Sequence, residues 1–202
     1  MFKTLDQLAD KLLYSYDIIN GIWKTLDFFN PINLRKKSVA DIQNNQMLWN
    51  SILQYRKFMS THQLDVLQEV SSLQSDTSRI SVRIKQLNSI EYKIFRYNTG
   101  ELKGKVPINK CLNDLFGVRI IIDDSFTHED LMEHIEGKYS DMKLTDASKN
   151  GYVASHLYIM PSNQLFPWEL QIWKKENERN NLESHKLYKQ DYTSWENDYK
   201  KN

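Results

Sequence analysis

The sequence predicts an α/β fold, in which helices pack against a β-sheet. Residues 117–122 are mostly β-branched and apolar with one arginine among them, a composition typical of a buried central strand. Two later segments, 153–159 and 168–173, alternate apolar and polar side chains with the period of two that strands show. Apolar residues at helical spacing precede and follow these strands, so helices are expected to cover the sheet.

Size and composition limit the class of protein. The chain has 202 residues, enough for one domain with a helical extension. Its 27 lysines and arginines nearly cancel 26 aspartates and glutamates, so any basic site must be local. The single cysteine, Cys111, excludes an internal disulfide and suits a reducing compartment. No signal peptide or membrane-spanning run is recognisable, so we expect a soluble cytoplasmic protein.

Residues 1–74 are predicted to form a helical region. Apolar residues recur at helical spacing from Leu5 to Ile19, and Asn20-Gly21 is expected to end that helix. A second amphipathic helix is predicted across residues 47–59. Between them, the basic triplet Arg35-Lys36-Lys37 precedes Ser38, a predicted N-cap with Asp41 three residues on. The triplet is either a solvated loop or a contact for phosphate or RNA.

The segment that begins at Ser75 is predicted to be a long helix. Its apolar residues Ile80, Ile84, Leu87, Ile90 and Ile94 fit one inward face. On such a helix Arg83 and Lys93 would lie roughly on one side, about three turns apart. That side is a candidate polyanion surface or a solvated basic face. The following stretch, 100–105, is predicted to be a flexible loop and not a nucleotide-binding P-loop, because the required spacing and hydroxyl residue are missing.

Charged residues near the central strand point to a site. Arg119 lies within the strand and should either extend to the edge of the sheet or meet an anion, because a guanidinium is costly to bury unpaired. Asp114 lies just before the strand, so the two residues indicate either a metal-and-phosphate site or an internal salt bridge. Strand alternation places His156, Glu169 and Gln171 together on the sheet face away from the core. Two carboxylates near basic groups suit Mg²⁺ with a nucleotide triphosphate.

Five short motifs follow one another between residues 76 and about 190. They are Arg83-Ile84-Lys85 with Ser89-Ile90 and Lys93, the run 114–120 (DLFGVRI), Asn150-Gly151-Tyr152 with Ser155 and His156, Glu169-Leu170-Gln171-Ile172, and His185 with Tyr188-Lys189. In this order they resemble the synthetase domain of RelA/SpoT-type enzymes. The resemblance implies a nucleotidyltransferase-like mixed sheet flanked by helices, with a synthetase core at 75–202 that ends in a helix.

The resemblance also implies an activity and a donor site. The family moves the β,γ-pyrophosphate of ATP to a ribose 3′-hydroxyl, with Mg²⁺ as cofactor. By position, Arg83 and Arg119 would sandwich the adenine, and Lys85 and Lys93 would contact the phosphates. Asp114 would bind the metal. According to the resemblance, Arg119 contacts the face of a base and not a phosphate. Planar stacking and cation–π attraction would stabilise that contact.

On the acceptor side the resemblance assigns different residues. Glu169 would share the metal and activate the hydroxyl, Tyr152 would stack on the acceptor base, and His156 and Gln171 would contact the acceptor. Two departures concern this side. Family members that make alarmones usually carry arginines where this chain has Val153 and Trp173. Loss of two positive charges should weaken binding of free GTP or GDP.

The C-terminal sequence resembles the toxic small synthetases of toxin–antitoxin pairs, some of which modify the 3′-terminal adenosine of tRNA. We therefore expect a growth-inhibiting enzyme that acts on tRNA and is paired with a protein antitoxin. Arg35, Lys36 and Lys37 are candidates for contacts to the RNA backbone. Two alternatives stay open: synthesis of (p)ppGpp from GDP or GTP, and a catalytically silent module that binds RNA or a partner.

Overall fold

The structure is a computed structural model that describes residues 2–199. The helices are α1 (Phe2–Lys24), α2 (Val39–Gln43), α3 (Gln46–Thr61), α4 (Gln63–Ser71), α5 (Leu87–Thr99), α6 (Ile108–Cys111), α7 (His128–Ile135) and α8 (Glu178–Tyr199). The strands are β1 (Ser78–Ile84), β2 (Phe116–Ile122), β3 (Met142–Asp146), β4 (Ser155–Ile159) and β5 (Trp168–Lys174). None of the helices in this range is long and apolar enough to cross a membrane.

The strands form one mixed sheet in the order β1-β2-β5-β4-β3. The central pair, β2 and β5, runs parallel, and the other neighbours run antiparallel. The long connection between the parallel strands carries α7 and the β3–β4 hairpin. The predicted fold class, a mixed sheet flanked by helices, is therefore confirmed, and residues 117–122 do form a central strand.

The N-terminal helices cover one face of the sheet. On β5 the indole of Trp168 packs against Tyr16 of α1 and donates a 2.9 Å hydrogen bond to the Tyr55 hydroxyl of α3. The Tyr55 hydroxyl in turn donates to Asn20. Since side chains alternate across a strand, Glu169 and Gln171 lie on the opposite face. The division of the chain at residue 74 stays a prediction, because these helices share one hydrophobic core with the sheet.

The single long helix predicted from Ser75 is wrong. Residues 78–84 form strand β1, which pairs with β2 along its whole length, and α5 begins only at Leu87. The spacing of four between Ile80 and Ile84 fits both a helical turn and two strand repeats, so it could not distinguish them. Arg83 and Lys93 therefore belong to different elements, and the proposed basic side of one helix does not exist.

Other local predictions had mixed outcomes. The predicted N-cap at Ser38 is confirmed, because its amide donates to the Asp41 carboxylate. The first helix does not end at Asn20-Gly21 but continues to Lys24. Asn20 is buried there because its amide donates to the Tyr16 carbonyl. Strand β3 was missed, because Met142 is its only buried residue and the alternation is weak.

Candidate active site

A cavity of about 830 Å³ opens on the sheet face opposite the N-terminal helices. Strands β1, β2, β4 and β5 form its floor, and α5 and α8 form its walls. Its lining includes every residue to which the family resemblance assigns a role: Arg83, Lys85, Lys93, Asp114, Arg119, Tyr152, His156, Glu169 and Gln171. The fold thus brings together residues that are up to 88 positions apart in the sequence.

Asp114 is the centre of a buried ionic cluster. Its carboxylate contacts the ammonium groups of Lys85 at 2.5 Å and Lys93 at 3.0 Å, and its side chain is 10% exposed. Burial alone would raise the pKa of the Asp114 carboxyl, but the two lysines outweigh it and hold the pKa well below its usual range. Burial also lowers the pKa of the Lys85 ammonium, partly opposed by Asp114. Asp114 thus forms salt bridges with Lys85 and Lys93, whereas Arg119, the partner considered from the sequence, contacts Gln171, His185 and Trp173.

Glu169 is the second buried carboxylate, with 4% of its side chain exposed. Its Oε2 accepts hydrogen bonds from Arg83 at 2.7 Å and from Gln171 at 2.8 Å. Its Oε1 lies 2.9 Å from Nδ1 of His156. Burial would raise the pKa of Glu169, but the His156 and Arg83 contacts hold it at about 2. Glu169 is therefore an ionised acceptor at neutral pH, surrounded by hydrogen-bond donors.

Gly117 makes the approach of Arg83 to Glu169 possible. It lies between them on the sheet, as the β2 residue that pairs with Arg83 of β1 and with Glu169 of β5. A Cβ atom at this position would lie 3.1 Å from Nε of Arg83. The absence of a side chain therefore lets the guanidinium cross β2 and reach the carboxylate.

Arg119 makes a separate set of contacts in the cavity. Its guanidinium stacks on the indole ring of Trp173 at 3.7 Å and donates to the Gln171 amide oxygen at 3.0 Å. A terminal nitrogen lies 3.1 Å from Nε2 of His185 on α8. Burial, together with the nearby charge of Arg83, lowers the pKa of Arg119 to about 10 and leaves it a cation at neutral pH. Its planar partner in this structure is a tryptophan.

His185 is held in a neutral form between the same groups. Its ring stacks on Trp173 with 5.5 Å between centroids. Burial and the charges of Arg119 and Arg83 lower the pKa of His185 to about 4. The part of the cavity near Trp173 is therefore aromatic and uncharged except for Arg119.

A tight turn presents Tyr152 to the cavity. Asn150 and Gly151 both have positive φ, at 51° and 83°, and the backbone of Lys149 and Tyr152 closes the turn with two hydrogen bonds. Two successive residues with positive φ make a type I′ turn, which Asn-Gly adopts readily. The Tyr152 ring lies edge-on to His156, and its hydroxyl is within hydrogen-bond distance of that residue.

The basic triplet at 35–37 lies away from the cavity. All three side chains are exposed, and that of Lys37 forms a 3.5 Å ion pair with Asp41. The Lys37 carbonyl accepts a hydrogen bond from Ile108 of α6. This hydrogen bond holds the backbone of the triplet against α6. None of the three residues lines the cavity.

Several lining residues were not predicted as site residues. Tyr158 is the clearest, because the predicted alternation of β4 already placed it beside His156, and it pairs with Glu169 across the sheet. Further lining residues lie on α5 and α8 at helical spacing: Ser89, Arg96, Tyr97, Ser184, Tyr188, Lys189 and Tyr192. Spacing alone could not show which face of α8 turns toward the sheet.

Comparisons with known proteins give a family match and similar solved structures. Residues 82–193 match the family model described as "Region found in RelA / SpoT proteins". The structure is similar to that of small alarmone synthetase 1 from Bacillus subtilis, with 18% identity, a TM-score of 0.43, and coverage of 78% of this chain and 83% of that chain. The structure of that synthetase bound to AMPCPP gives 14% identity, a TM-score of 0.35, and coverage of 78% and 82%.

No curated protein sequence matches this chain significantly. The family match extends over more than half of the sequence and contains the cavity-lining motifs from β1 to α8. The chain therefore belongs to the RelA/SpoT family and is a pyrophosphokinase, an enzyme that transfers pyrophosphate from ATP.

Proposed function

We propose that this enzyme transfers the β,γ-pyrophosphate of ATP to the 3′-hydroxyl of the terminal adenosine of tRNA. A tRNA modified in this way could not be aminoacylated at that hydroxyl, so translation would stop and growth would be inhibited. We propose further that the protein is the toxin of a toxin–antitoxin pair and that a protein antitoxin neutralises it.

The distribution of charge in the cavity carries this proposal. Lys85, directly after β1, and Lys93 on α5 form a basic region around Asp114 that suits the triphosphate of ATP. The rings of Tyr152, His156 and His185 also line the cavity, and the buried Trp173 packs against Tyr152 and His185. An aromatic surface favours a base that brings no free 5′-phosphates into the site, such as the end of an RNA strand.

The two carboxylates fit a magnesium ion. Mg²⁺ prefers oxygen ligands and is usually held by one or two carboxylates together with substrate phosphates. Asp114 and Glu169 are both ionised, and the charge of Asp114 acts through space to raise the pKa of the Glu169 carboxyl. No cluster of three or more histidine, cysteine or acidic side chains that could hold a metal occurs within residues 2–199. When bound, the ion would neutralise charge on the transferring phosphates.

Each residue of the cavity then has a distinct role in transfer. Lys85 and Lys93 lie beside Asp114 and would stabilise negative charge on the phosphates of ATP. Arg83 and Arg119 present planar guanidinium groups that can stack on adenine. Glu169 would accept the proton of the attacking hydroxyl. Oε2 of Glu169 accepts from both Arg83 and Gln171 here, so a move of Arg83 to the adenine would leave one lone pair of that oxygen for the acceptor.

The acceptor can be identified with ATP labelled on its γ-phosphate. The enzyme is incubated with deacylated tRNA, with tRNA whose terminal ribose has been oxidised by periodate, and with GDP or GTP. We expect label in intact tRNA and none in oxidised tRNA, which lacks the 3′-hydroxyl. Label that appears only in guanosine nucleotides would overturn the tRNA proposal and indicate (p)ppGpp synthesis instead.

Glu169→Gln tests whether the protein acts as an enzyme rather than as a binding module. The substitution keeps the shape of the side chain and removes the base, so transfer should fall by at least about 10²-fold while far-UV circular dichroism is unchanged. The same variant should lose growth inhibition on expression. Full toxicity of a folded Glu169→Gln protein would support the catalytically silent module.

Contact between RNA and the triplet Arg35-Lys36-Lys37 is a separate part of the proposal. Replacing all three with alanine should weaken tRNA binding and reduce its salt dependence, because fewer counterions are released. The KM for ATP should stay the same, since the triplet lies outside the cavity. A control variant replaces three other exposed lysines, Lys24, Lys57 and Lys143. Equal effects of the two variants on tRNA binding would refute a specific role for the triplet.

A further inference from the structure

Two segments far apart in the sequence form one basic surface beside the cavity. One is the segment 33–41, which contains the basic triplet. The other is the segment 100–110, which follows α5 and includes most of α6. The backbones run antiparallel where they meet, with a bridge between Ser38 and Pro107. The basic surface consists of the six exposed cations that these segments carry: Arg35, Lys36, Lys37, Lys103, Lys105 and Lys110.

Hydrogen bonds between the two backbones hold the basic surface together. The Ile108 amide donates to the Lys37 carbonyl at 2.9 Å. One residue further along α6, the Asn109 amide donates to the Leu34 carbonyl at 3.1 Å. Lys110 comes next in α6, so its backbone lies beside that of the triplet. The arrangement of the six cations is therefore set by the fold.

Gly104 permits the close approach of the second segment to the first. A Cβ atom at this position would lie 2.7 Å from the Cβ of Ala40 on α2 and 2.5 Å from Oδ1 of Asn98. The Gly104 amide also donates to the carbonyl of Tyr97, a residue that lines the cavity. The preceding residue, Lys103, has a φ of 43°, which is uncommon for a lysine. These contacts hold the loop against α2 and point it to the rim of the cavity.

The basic surface has an excess of positive charge that the rest of the chain lacks. The two segments contain six cations and two acidic residues, Asp41 and Glu101, so their net charge is +4. The whole chain has a net charge of +1, which leaves −3 for all other residues. Among the side chains described in residues 2–199, Lys37 is the member of the surface that forms an ion pair, with Asp41 at 3.5 Å. The other five cations are available to an external anion.

The basic surface adjoins the candidate active site. Lys110 is three residues before Asn113, which lines the cavity, so their Cα atoms are at most about 11 Å apart. Arg96, in the last turn of α5, lines the cavity as well, and the second segment begins four residues after it. A strand whose end lies in the cavity can therefore continue over the basic surface.

We propose that the basic surface binds the phosphate backbone of the RNA whose 3′ end enters the cavity, and that Lys103, Lys105 and Lys110 are part of this site together with the triplet. Exposed lysines and arginines contact phosphates and fix the position of a nucleic acid without reading its bases. A nucleotide confined to the cavity would not touch them. The inference rests on the proposed transfer to tRNA, and it adds a site that distinguishes tRNA from a free guanosine nucleotide.

A loop variant that combines Lys103→Asn, Lys105→Gln and Lys110→Gln tests the proposal. Asparagine is used at position 103 because it accepts a positive φ more readily than most residues. Binding of deacylated tRNA is measured between about 50 and 200 mM salt. Loss of three phosphate contacts should reduce the slope of log K against log salt by about 2, so this rise in salt should weaken binding by the variant about 16-fold less than binding by the wild type. An unchanged slope would overturn the proposal.

The length of the substrate separates the basic surface from the cavity. Transfer of label from ATP is compared on whole tRNA and on a short oligonucleotide with the same 3′-terminal sequence. The loop variant should raise the KM for tRNA about tenfold and leave the KM for the oligonucleotide and for ATP unchanged. Equal losses on both RNA substrates would indicate damage to the cavity and refute the proposal. The control variant, Lys24→Gln with Lys57→Gln and Lys143→Gln, should keep the wild-type salt slope and KM.

Failure of this inference can be distinguished from failure of the proposed function. If the wild-type enzyme labels only guanosine nucleotides, transfer to tRNA is wrong, and the salt slope still decides whether the basic surface binds RNA. If tRNA is labelled but the loop variant binds it as the wild type does, the inference alone is wrong. An unchanged tRNA slope together with loss of binding to the antitoxin would assign the surface to an acidic protein instead.

Discussion

Asp114→Asn tests how the buried charges of the cavity are balanced. The substitution removes one negative charge with almost no change of volume and leaves Lys85 and Lys93 without their common partner. Breaking a buried ion pair from one side typically costs about 3–5 kcal/mol of unfolding free energy. The substitution leaves two ammonium groups without a partner, which would increase the cost. Burial already lowers the pKa of Lys85, however, so Lys85 can lose its proton in the variant, and the cost stays within this range.

The assay is urea denaturation at neutral pH, with the slope m compared to exclude a change in the unfolded state. Asp123→Asn is the matched control, because its ion pair with Lys175 is half exposed and should be worth less than about 1 kcal/mol. Adding Lys85→Met to Asp114→Asn should recover part of the stability, since it removes one unpaired charge. Equal effects of Asp114→Asn and Asp123→Asn would refute the reasoning.

Three further predictions concern separate parts of the molecule. Trp168→Phe should cost about 2 kcal/mol in urea denaturation, because it leaves a void and removes the bond to Tyr55, while kcat stays unchanged. His185 has a native pKa of about 4, below its ordinary 6.5, so only the unfolded chain gains a proton as pH falls between these values. Stability should therefore fall by up to about 3 kcal/mol over that interval, and His185→Gln should abolish this slope. Arg119→Lys should raise the KM for ATP about tenfold, because an ammonium cannot stack as a plane; an unchanged KM would contradict its proposed contact with adenine.

The local motifs of the chain were sufficient to predict the class of fold, and the residues they single out line one cavity. The buried strand around Val118 and Ile120 was recognisable because a strand covered on both faces is continuously apolar. The alternation from Trp168 to Trp173 separated the core face from the face that carries Glu169. Asn150-Gly151 suits the tight turn that presents Tyr152, because few dipeptides accept two successive positive φ angles.

Other features depended on contacts between elements. Strand β1 was mistaken for a helix because the spacing of Ile80 and Ile84 fits the period of a helix as well as that of a strand. Only the pairing of β1 with β2 distinguishes the two structures. Which face of α8 borders the cavity was equally undetermined, since a helix with apolar residues on several sides can pack in more than one rotation.

The sequence by itself indicated the family, the order of the acidic and basic motifs along the chain, and the presence of Val153 and Trp173 where the family resemblance leads us to expect arginines. Only the tertiary structure showed which residues pair with each other. It showed that Asp114 is shared by two lysines, that Gly117 lets Arg83 reach Glu169, and that Trp173 donates to Tyr152. Such pairings depend on distances between strands and helices far apart in the chain, which local patterns of residues do not encode.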